Sequence, residues 1–300
     1  MRNYLLMNHL HIQNANALSS PYSIGFPAMT AWLGAVHALQ RNLRQLGMHD
    51  VFLTKMAVIC HDFILQTYRG KNDYVYSIIG TANPADKDGE RPSFIEEARC
   101  HLNVSLLIET EGIKGDNETD FLDHVRKQLY RMKMASGDIL SFKSVEPLYV
   151  DDNDEKQVRA CIRKLMPGYV LIERRDLMTA SMEKGKDALE ALVDHVKILY
   201  QSNKSCEPND DNVDKSMTWK GSKKEPGWIV PIAVGFHGIS QLGKAKNQRD
   251  ETTEHRFAES VVTLGEFKMP YRVRSLDEMM WEYNVNLEQN LYVCKNQQIN

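Results

Sequence analysis

Paired cysteines, long apolar runs and an excess of basic residues are all missing from this chain of 300 residues. The five cysteines are widely spaced and form no CxxC pair, which argues against a disulfide framework or a zinc site and favours reduced thiols in a cytosol. No window approaches the roughly 18 apolar residues of a membrane span, and no charged segment with a following apolar stretch begins the chain. We therefore expect a cytoplasmic protein that is not exported and that has enough length for a substantial core.

The formal net charge of -3 taken alone argues against binding to nucleic acid through many phosphate contacts. The charges are segregated, however. Acidic residues gather at 116–123, 151–155 and 207–214, whereas basic residues gather at 156–175 and 244–256. A solvated surface of mixed sign is the usual outcome of such runs, but a local basic groove stays open.

The most informative segment joins a strand to a helix. Residues 4–12 predict a strand on which Leu6, Leu10 and Ile12 share one side. Residues 13–25 then predict a polar loop, and residues 27–43 a helix. The loop contains amides, hydroxyls and a glycine able to adopt positive φ, namely Gln13, Asn14, Asn16, Ser19, Ser20 and Gly25. Two interpretations explain these residues equally well. The loop and the helix N-terminus bind a phosphate or carboxylate, or the loop is an internally capped turn.

One side of the predicted helix is bulky and the other is made of small residues. The small residues are Ala31, Gly34, Ala35 and Ala38. Because they would let another backbone approach closely, we expect the helix to be buried on both sides. His37 lies near the small side, where a hydrogen-bonded core histidine and a functional histidine are both open interpretations.

The rest of the chain predicts a mixture of strands and helices. Strands are expected over 55–68, 74–79, 98–108, 228–239 and 290–294, and helices over 119–134, 155–166, 174–200 and 275–283. The strand over 98–108 has one polar and basic face. Residues 203–216 lack an apolar period and predict a flexible linker or surface excursion. This order is α+β and is compatible with a ferredoxin-like sheet.

Sequence blocks spread over nearly the whole chain carry a resemblance to a known family. They include Gln13-Asn-Ala-Asn-Ala, Ser19-Ser-Pro, Gly25-Phe-Pro, Gly34-Ala-Val-His-Ala-Leu-Gln-Arg41, Cys60-His61, Glu96-Glu97-Ala98-Arg99, Val104-Ser-Leu-Leu107, Met166-Pro-Gly-Tyr169, Pro226-Gly-Trp-Ile-Val-Pro231 and Arg256-Phe257. In these blocks the chain resembles the RAMP-superfamily subunit that holds the 5′ handle of the guide RNA in the type I-F CRISPR surveillance (Csy) complex. Residues 184–222 match least.

The resemblance implies an RNA-recognition-type core with a thumb-like hairpin. The expected fold is therefore α+β, with a ferredoxin-like core and further helices over residues 1–202, the hairpin at about 66–95, a linker or surface loop at 203–217, and a C-terminal segment over 218–300 that packs back on the core. The implied partners are the 5′ handle of the guide RNA, the large subunit that recognises the protospacer-adjacent motif, the terminal backbone subunit and, through the complex, target DNA. No cofactor is implied.

The candidate RNA-binding residues combine the polar loop with basic and aromatic side chains elsewhere. A guanidinium can form two parallel hydrogen bonds with a phosphate, and Trp228 serves either as a stacking platform for a base or as an anchor in the core. The full set is Gln13, Asn14, Asn16, Ser19, Ser20, Gly25, His37, Arg41, Arg99, His101, Trp228 and Arg256. Arg44 and the basic run at 244–249 are further candidates for contacts with backbone phosphates.

An enzyme is the main rival interpretation. His101 with His61 or Tyr68 would give a metal-independent endoribonuclease that processes CRISPR repeat RNA, although nothing in their spacing demands it. Adjacent carboxylates at Glu96 and Glu97 would point to opposite sides of a strand and cannot flank one bond. His9 and His11 share a face, but two ligands do not make a metal site.

In the resembled family this subunit binds RNA without cutting it, so we expect no catalytic residue and no metal. A protein scaffold without RNA contact is a third possibility.

Overall fold

The computed structural model describes residues 1–79, 85, 87–91, 97–113, 115–204, 217–248 and 250–296. Within these residues, eleven strands form one antiparallel sheet, and three further strand pairs form small sheets of their own. Five α-helices accompany the strands in this described part of the chain. The predicted α+β class is confirmed.

The strands are β1 (Arg2–Asn16), β2 (Leu18–Ser20), β3 (Ser23–Ile24), β4 (Phe52–Leu65), β5 (Thr67–Tyr68), β6 (Ser77–Ile78), β7 (Arg99–Glu111), β8 (Lys133–Met134), β9 (Gly137–Ser141), β10 (Ser144–Val150), β11 (Tyr169–Glu173), β12 (Ile198–Lys204), β13 (Met217–Lys223), β14 (Trp228–Gly238), β15 (Ala258–Lys268), β16 (Trp281–Asn286) and β17 (Leu291–Asn296). The helices are α1 (Met29–Gln45), α2 (Gly115–Leu129), α3 (Glu155–Lys164), α4 (Arg175–Met182) and α5 (Ala188–Val196), with 3-10 turns at Pro270–Arg272 and Asp277–Met279. None of the described helices is long and apolar enough to cross a membrane.

Four strands in the order β10–β1–β7–β4 form one half of the large sheet. All three pairings are antiparallel, and β9 pairs with β1 next to β10. Helix α1 lies between β1 and β4 in the chain, and α2 lies between β7 and β10. Both helices bury their apolar sides in one core, with Trp32, Leu39, Phe121 and Val125 inaccessible to solvent. The two helices therefore cover the same face of these four strands.

Strand β4 is shared between two parts of the sheet. One edge pairs with β7, while the other edge pairs with β16 at Met56 and with β11 at Ile59 and Cys60. Because β16, β17, β14, β15 and β11 follow one another in the sheet, the second edge of β4 closes a ring of six strands. Inside this ring the indole N–H of Trp281 donates to the carbonyl of Leu171 at 2.8 Å. The interior of the ring continues the core that contains α1.

A second core covers part of the opposite face. There Leu6, Ile59 and Leu107 meet residues of the α3 region and of the 3-10 turns, such as Leu165 and Met279. This cover ends on β7 at Ser105, which is fully buried. Farther along the same side of β7 the side chains are only half-buried, and they are Asn103, His101 and Arg99. We call this uncovered end of the face, with these three residues, the open face.

The predictions for the first strand and loop are wrong in two respects. The strand continues to Asn16, and residues 18–24 form a small hairpin of β2 and β3 instead of an open loop. Leu6 belongs to the second core, whereas Leu10 and Ile12 belong to the first. A strand normally keeps one side for every second residue, so a break in the pairing must lie between Leu6 and Leu10.

Two predicted helices are also wrong. The segment 174–200 breaks after α4, where Gly185 has a φ of 89°. Helix α5 then starts anew with Asp187 as its N-cap, and Glu190 completes a capping box. The segment 275–283 contains only a 3-10 turn before β16 begins, because Trp281 pairs in extended form with Met56.

The expected burial of α1 on both sides is only partly found. Ala35 is buried, but Ala31, Gly34 and Ala38 on the small side are half-buried. A Cβ at Gly34 would lie 4.0 Å from the hydroxyl of Tyr283, so β16 is the neighbour on this side. The small side thus leaves a partly open stripe along α1.

The division into residues 1–202, 203–217 and 218–300 stays a prediction. Residues 205–216 lie outside the described residues, between β12 and β13. In the predicted hairpin at 66–95, β5 pairs with β6, while residues 80–84, 86 and 92–95 lie outside the described residues. Strands β14 to β17 of the C-terminal segment belong to the same sheet as β1, β4 and β7.

Four of the cysteines are buried free thiols, and they are Cys60, Cys100, Cys161 and Cys294. Burial raises the pKa of the Cys60 and Cys100 thiols to about 12 and that of Cys161 to about 11. These side chains are therefore uncharged core residues at neutral pH. Cys206 lies outside the described residues.

The buried indole of Trp281 gives a direct test of the closed ring. We expect Trp281→Phe to lower the free energy of unfolding by about 1–3 kcal/mol, because the Leu171 carbonyl loses its donor, and Trp281→Ala to lower it by about 3–5 kcal/mol through the added cavity. Urea unfolding at neutral pH measures both values. Trp219→Phe, at an indole that is 64% exposed, is the matched control and should change stability by no more than about 0.5 kcal/mol. Equal values for the two tryptophans would contradict the described ring.

Candidate nucleic-acid interface

Three β-bulges determine which side chains point to the open face. One lies in β1 between Ile12 and Ala15 and contains Asn14, whose φ is 56°. The other two lie farther from this end of the face. In β1 the register with β7 shifts between Met7 and Leu10, and His9 has a φ of 51°. In β4 the register with β7 shifts at His61. Each bulge adds one residue to one strand and thereby exchanges the two sides of that strand. Beyond the bulges, apolar residues of β1 and β4 return to the first core and their polar neighbours face outward.

One buried hydroxyl holds the bulges at His9 and His61. Ser105 Oγ accepts a hydrogen bond from the backbone N–H of His9 at 2.9 Å and lies 2.7 Å from Nε2 of His61. The two imidazoles stack with their centroids 4.0 Å apart. Nδ1 of His61 donates to the carbonyl of Pro167 at 2.5 Å, and the Ser105 hydroxyl that contacts Nε2 also donates to Oδ1 of Asn8 at 3.1 Å. This network forms the closed end of the open face.

Burial keeps His61 neutral. It lowers the pKa of His61 below the ordinary value of 6.5, the carbonyl of Pro167 opposes this shift, and the neighbouring His9 adds to it. A neutral imidazole has one donor and one acceptor nitrogen, and both nitrogens of His61 have a polar contact within the protein. The ring is thus fully used in holding the bulge.

Four side chains meet at the other end of the open face, and we call Asn14, Gln66, Arg99 and His101 the amide cluster. Nε2 of Gln66 donates to Oδ1 of Asn14 at 2.7 Å and lies 3.0 Å from Nε2 of His101. The backbone N–H of Asn14 donates to Nδ1 of His101 at 3.3 Å, and NH1 of Arg99 lies 3.5 Å from the carbonyl of Asn14. Asn14 has a φ of 56°, a left-handed conformation that asparagine tolerates better than most residues. Partly exposed amide, imidazole and guanidinium groups therefore connect the ends of three strands.

The amide cluster has an acidic and an apolar neighbour. Glu97 binds NH2 of Arg99 at 2.6 Å, and both side chains are partly exposed. Ile64 stands opposite His101 on β4 and is 54% exposed. An apolar side chain beside hydrogen-bonding groups suits a ligand with a flat apolar face and a polar edge.

Three of the predicted loop residues bond within the chain. The amide of Asn16 donates to the carbonyl of Leu18 at 3.0 Å and accepts from its N–H at 3.1 Å. Ser19 Oγ and Ser20 Oγ lie 3.0 Å and 2.7 Å from Ser23 Oγ, and Ser20 is only 4% exposed. The internally capped turn is therefore what the structure contains at these positions, and RNA contacts by these three residues stay a prediction.

Gln13 and Gly25 lie at the two ends of the predicted loop. Gln13 is exposed on β1 and pairs with Asp138 of β9. The N–H of Gly25 donates to the carbonyl of Ala17 at 2.9 Å. Gly25 has no positive φ, so the expected use of its conformational freedom is wrong. A Cβ at this position would meet nothing within 4 Å.

The structure separates His37 and Arg41 from the amide cluster. Both are exposed on α1, which packs on the face of the sheet opposite the open face. The guanidinium of Arg44, one turn farther, lies 5.3 Å above the ring of Phe52. These three residues cannot contact the same short ligand segment as Asn14 and His101.

Trp228 and Arg256 lie at opposite ends of β14, which places them roughly 30 Å apart at the usual rise of a strand. The ring of Trp228 packs on Tyr169 and Phe267 with centroids 5.5 Å and 5.0 Å away, yet 48% of the residue is exposed. It thus anchors a turn and still offers a free surface. Arg256 bonds to the side chain of Asn290 near Gly238, the last residue of β14.

The geometry does not assemble the rival nuclease. His61 contacts Ser105, which is four residues from His101 along β7, so the two imidazoles stand about 13 Å apart along the strand. The hydroxyl of Tyr68 lies over the turn at Gly70, 3.5 Å from where a Cβ would stand. In the described part of the chain, no group of three or more His, Cys, Asp or Glu side chains could hold a metal ion.

The site residues predicted from sequence do not include Gln66, Glu97 or Ile64. Glu97 was considered for chemistry only as one of two adjacent carboxylates. The available signal was that the predicted strands at 55–68 and 98–108 could pair. In the structure this pairing places the end of β4 beside the start of β7, and the N–H of Gln66 donates to the carbonyl of Arg99 at 2.9 Å. Periodicity indicates which side a residue faces, but it does not give the register between strands. The partners of His101 therefore needed the tertiary structure.

The fold and the open face define an α+β protein whose uncovered sheet surface offers amide, imidazole and guanidinium groups to a ligand. A family model described as CRISPR-associated protein (Cas_Csy2) matches residues 5–294. The CRISPR-associated protein Csy2 of Pseudomonas aeruginosa (strain UCBPP-PA14) is 34% identical over 315 aligned residues, which cover 96% of this chain and 93% of that protein. The chain therefore belongs to the Csy2 family of CRISPR-associated proteins, and the resemblance to the type I-F subunit family is confirmed.

The buried state of His61 makes the stability of the protein pH-dependent. The unfolded chain takes up a proton on His61 near pH 6.5, whereas the folded chain does so only at lower pH, so the free energy of unfolding falls as the pH drops from 7.5 to 5.5. We expect His61→Gln to lose less stability over this interval than the unchanged protein, as measured by urea unfolding at both pH values. Burial also lowers the pKa of His195, but that residue is common to both proteins and cancels in the comparison. An equal loss in the two proteins would show that His61 is not the titrating group.

Proposed function

We propose that this Csy2-family protein is a non-catalytic, cytoplasmic subunit of a type I-F surveillance complex and holds the 5′ handle of the guide RNA on its open face. The observation that carries the proposal is the amide cluster, in which the Gln66 amide donates to Oδ1 of Asn14 at 2.7 Å and the N–H of Asn14 donates to Nδ1 of His101 at 3.3 Å. Unpaired RNA exposes base edges and 2′-hydroxyls, and amides and imidazoles are suitable partners for both. The family match independently supports a role in CRISPR defence.

The proposed scaffold for this interface is a ferredoxin-like, RNA-recognition-type core. The chain order β1–α1–β4–β7–α2–β10 and the sheet order β10–β1–β7–β4 support it, because a split βαβ unit has this arrangement. Both helices cover one face, and the handle would lie on the other. The paired strands β5 and β6 are the described part of the proposed thumb-like hairpin.

The amide cluster is preorganised for binding. A hydrogen bond fixes the side chain of Gln66 against Asn14, and Nε2 of Gln66 also packs 3.0 Å from Nε2 of His101, so little side-chain entropy remains to be lost when RNA binds. The exposed side chain of Ile64 can contact the flat face of a base whose edge meets His101. With a formal net charge of -3, the protein is better suited to reading a few bases than to gripping many phosphates.

The protein partners are proposed to use other surfaces. The large subunit that recognises the protospacer-adjacent motif and the terminal backbone subunit would meet the half-open stripe of α1 and the hairpin at 66–95. His37 and Arg41 are exposed on α1 and would then contact a partner or a distant part of the RNA. Target DNA would be reached through the assembled complex.

Replacing both amides of the cluster tests the proposed interface. We expect Asn14→Ala with Gln66→Ala to weaken binding of handle RNA about 10- to 100-fold, because two hydrogen-bonding groups at about 1 kcal/mol or more each are lost. Fluorescence anisotropy with labelled handle RNA, using the protein together with its large-subunit partner, measures the change. Asn286→Ala with Gln289→Ala is the matched control, since these exposed amides also bond to each other, at 3.1 Å.

If the cluster variant binds handle RNA as tightly as the unchanged protein, the RNA binds at another surface. Equal binding of a scrambled handle would refute sequence-dependent recognition. The same samples, incubated with repeat RNA in EDTA, should leave the RNA intact, whereas a cut would favour the nuclease. Absence of any crosslink between the RNA and residues 13–25 or Gln66 would favour the scaffold without RNA contact.

The ion pair between Arg99 and Glu97 allows a test in two directions. We expect Arg99→Gln to weaken handle binding, because a phosphate loses its cation, and Glu97→Gln to strengthen it about two- to fivefold, because the carboxylate no longer competes with phosphate for the guanidinium. Anisotropy titrations at 50 and 200 mM salt measure both effects, and the salt dependence should fall for Arg99→Gln. Weaker binding by Glu97→Gln would mean that the carboxylate orients Arg99 instead of competing with RNA.

A further inference from the structure

The hairpin of β12 and β13 is the least explained part of the described chain. Its two strands pair over seven residues each and join no other sheet. A two-stranded hairpin is marginally stable in water by itself. It also lies largely within the segment 184–222 that matches the resembled family least. Among the described strands the hairpin is therefore a small sheet of its own, separate from the sheet that carries the open face.

One face of this hairpin is aromatic and exposed. Ile198, Tyr200 and Trp219 point to the same side, because residue pairs opposite each other share a face and Ser202 stands opposite Trp219. Tyr200 is 66% exposed and Trp219 is 64% exposed. The two rings are diagonal neighbours, since Tyr200 pairs with Gly221, two residues from Trp219.

Gly221 has a specific role in placing the tyrosine. A Cβ at this position would lie 3.2 Å from Cε1 of Tyr200 and 3.4 Å from Cγ2 of Ile198. Glycine thus lets the ring of Tyr200 lie close against the backbone of β13. The ring is held by the hairpin on one side and remains free on the other, which is the arrangement of a stacking platform.

The charge of the two strands is entirely basic. Residues 197–204 and 217–224 contain no Asp or Glu, and their lysines are Lys197, Lys204, Lys220, Lys223 and Lys224. Lys197 and Lys224 lie at the base, 2.5 Å and 3.9 Å from Asp194 of α5. Lys220 and Lys223 are exposed and form no ion pair with an acid in the described part of the chain. The strands therefore differ in charge from the chain as a whole, whose formal net charge is -3.

Lys223 stands opposite Ile198 and shares the face of the two rings, whereas Lys220 stands opposite Gln201 on the other face of the same two-stranded ribbon. From the juxtaposition of two exposed rings with Lys223, and with Lys220 on the reverse side, we infer that the β12–β13 hairpin is a second nucleic-acid contact, which binds an unpaired polynucleotide independently of sequence. Bases stack on Tyr200 and Trp219, and the lysines contact the phosphates. This contact is distinct from the proposed handle site and does not depend on it.

Binding of oligonucleotides without any handle sequence tests this inference. We expect the full-length protein to bind labelled dT20 and U20, and Tyr200→Ala with Trp219→Ala to weaken that binding about tenfold or more. Lys220→Ser with Lys223→Ser should weaken binding and reduce the slope of log affinity against log salt by about 1.4, since each single-strand phosphate contact contributes about 0.7. Tyr271→Ala, at an exposed tyrosine of a 3-10 turn, is the control for loss of an aromatic side chain. Circular dichroism and urea unfolding verify that each variant is folded.

The two probes separate the sources of the polynucleotide. Tighter binding of dT20 would mean that the hairpin binds DNA, and tighter binding of U20 would mean that it binds RNA. Equal affinity would mean that it binds single strands of both kinds. Each of these three results supports the inference. No binding by the unchanged protein, or no loss in the aromatic variant, overturns it. Stronger binding of a 20-base-pair duplex that depends on the lysines alone also overturns it. If single-strand binding is unchanged in both variants but assembly with partner subunits fails, the aromatic face is a protein interface and the inference is wrong.

Discussion

The hydroxyl of Ser105 is the contact on which the arrangement of the open face depends. It lies at the centre of three strands and contacts the backbone of one bulge and the imidazole of the other. A bulge exchanges the two sides of a strand, so without these two breaks Leu10 and Ile12 of β1 and Phe63 and Leu65 of β4 would face outward. The buried Ser105 and the neutral His61 thus determine, from inside the protein, which side chains reach the surface more than 10 Å away along the strands.

The same face shows how one sheet can combine stability with recognition. Near Leu107 it is covered by the second core, and near His101 it is uncovered and polar. Polar groups at the uncovered end bond to one another, which keeps them satisfied without a ligand and fixes their positions for one. The ion pair of Arg99 with Glu97 adds a local competition for phosphate. Recognition at this face therefore rests on hydrogen-bond geometry more than on net charge.

Much of the fold could be predicted from sequence. The strands β4, β7 and β14, the helices α1 to α3 and the α+β class follow from apolar periodicity, and the polar side of β7 with Arg99 and His101 was also predicted. The failures have physical causes. The bulge near His9 was not predicted, because a strand prediction assumes that successive side chains keep alternating between the two sides. The break between α4 and α5 was not predicted, because apolar residues recur at helical spacing on both sides of the capping box at Asp187. Helical spacing of Leu276, Met279 and Met280 concealed the start of β16, since all three are buried for tertiary reasons.

The candidate site divides in the same way. The sequence by itself determined the class of residues involved, the polar face of β7 and the family to which the chain belongs, because motifs and periodicity are local properties of the chain. Only the tertiary structure decided that Asn14 meets Gln66 and His101, that Asn16, Ser19 and Ser20 bond within their own turn, and that His37 and Arg41 lie behind the sheet. The physical reason is register. The bulges of β1 and β4 and the pairing of β4 with β7 determine which side chains meet, and these depend on contacts between residues far apart in the chain.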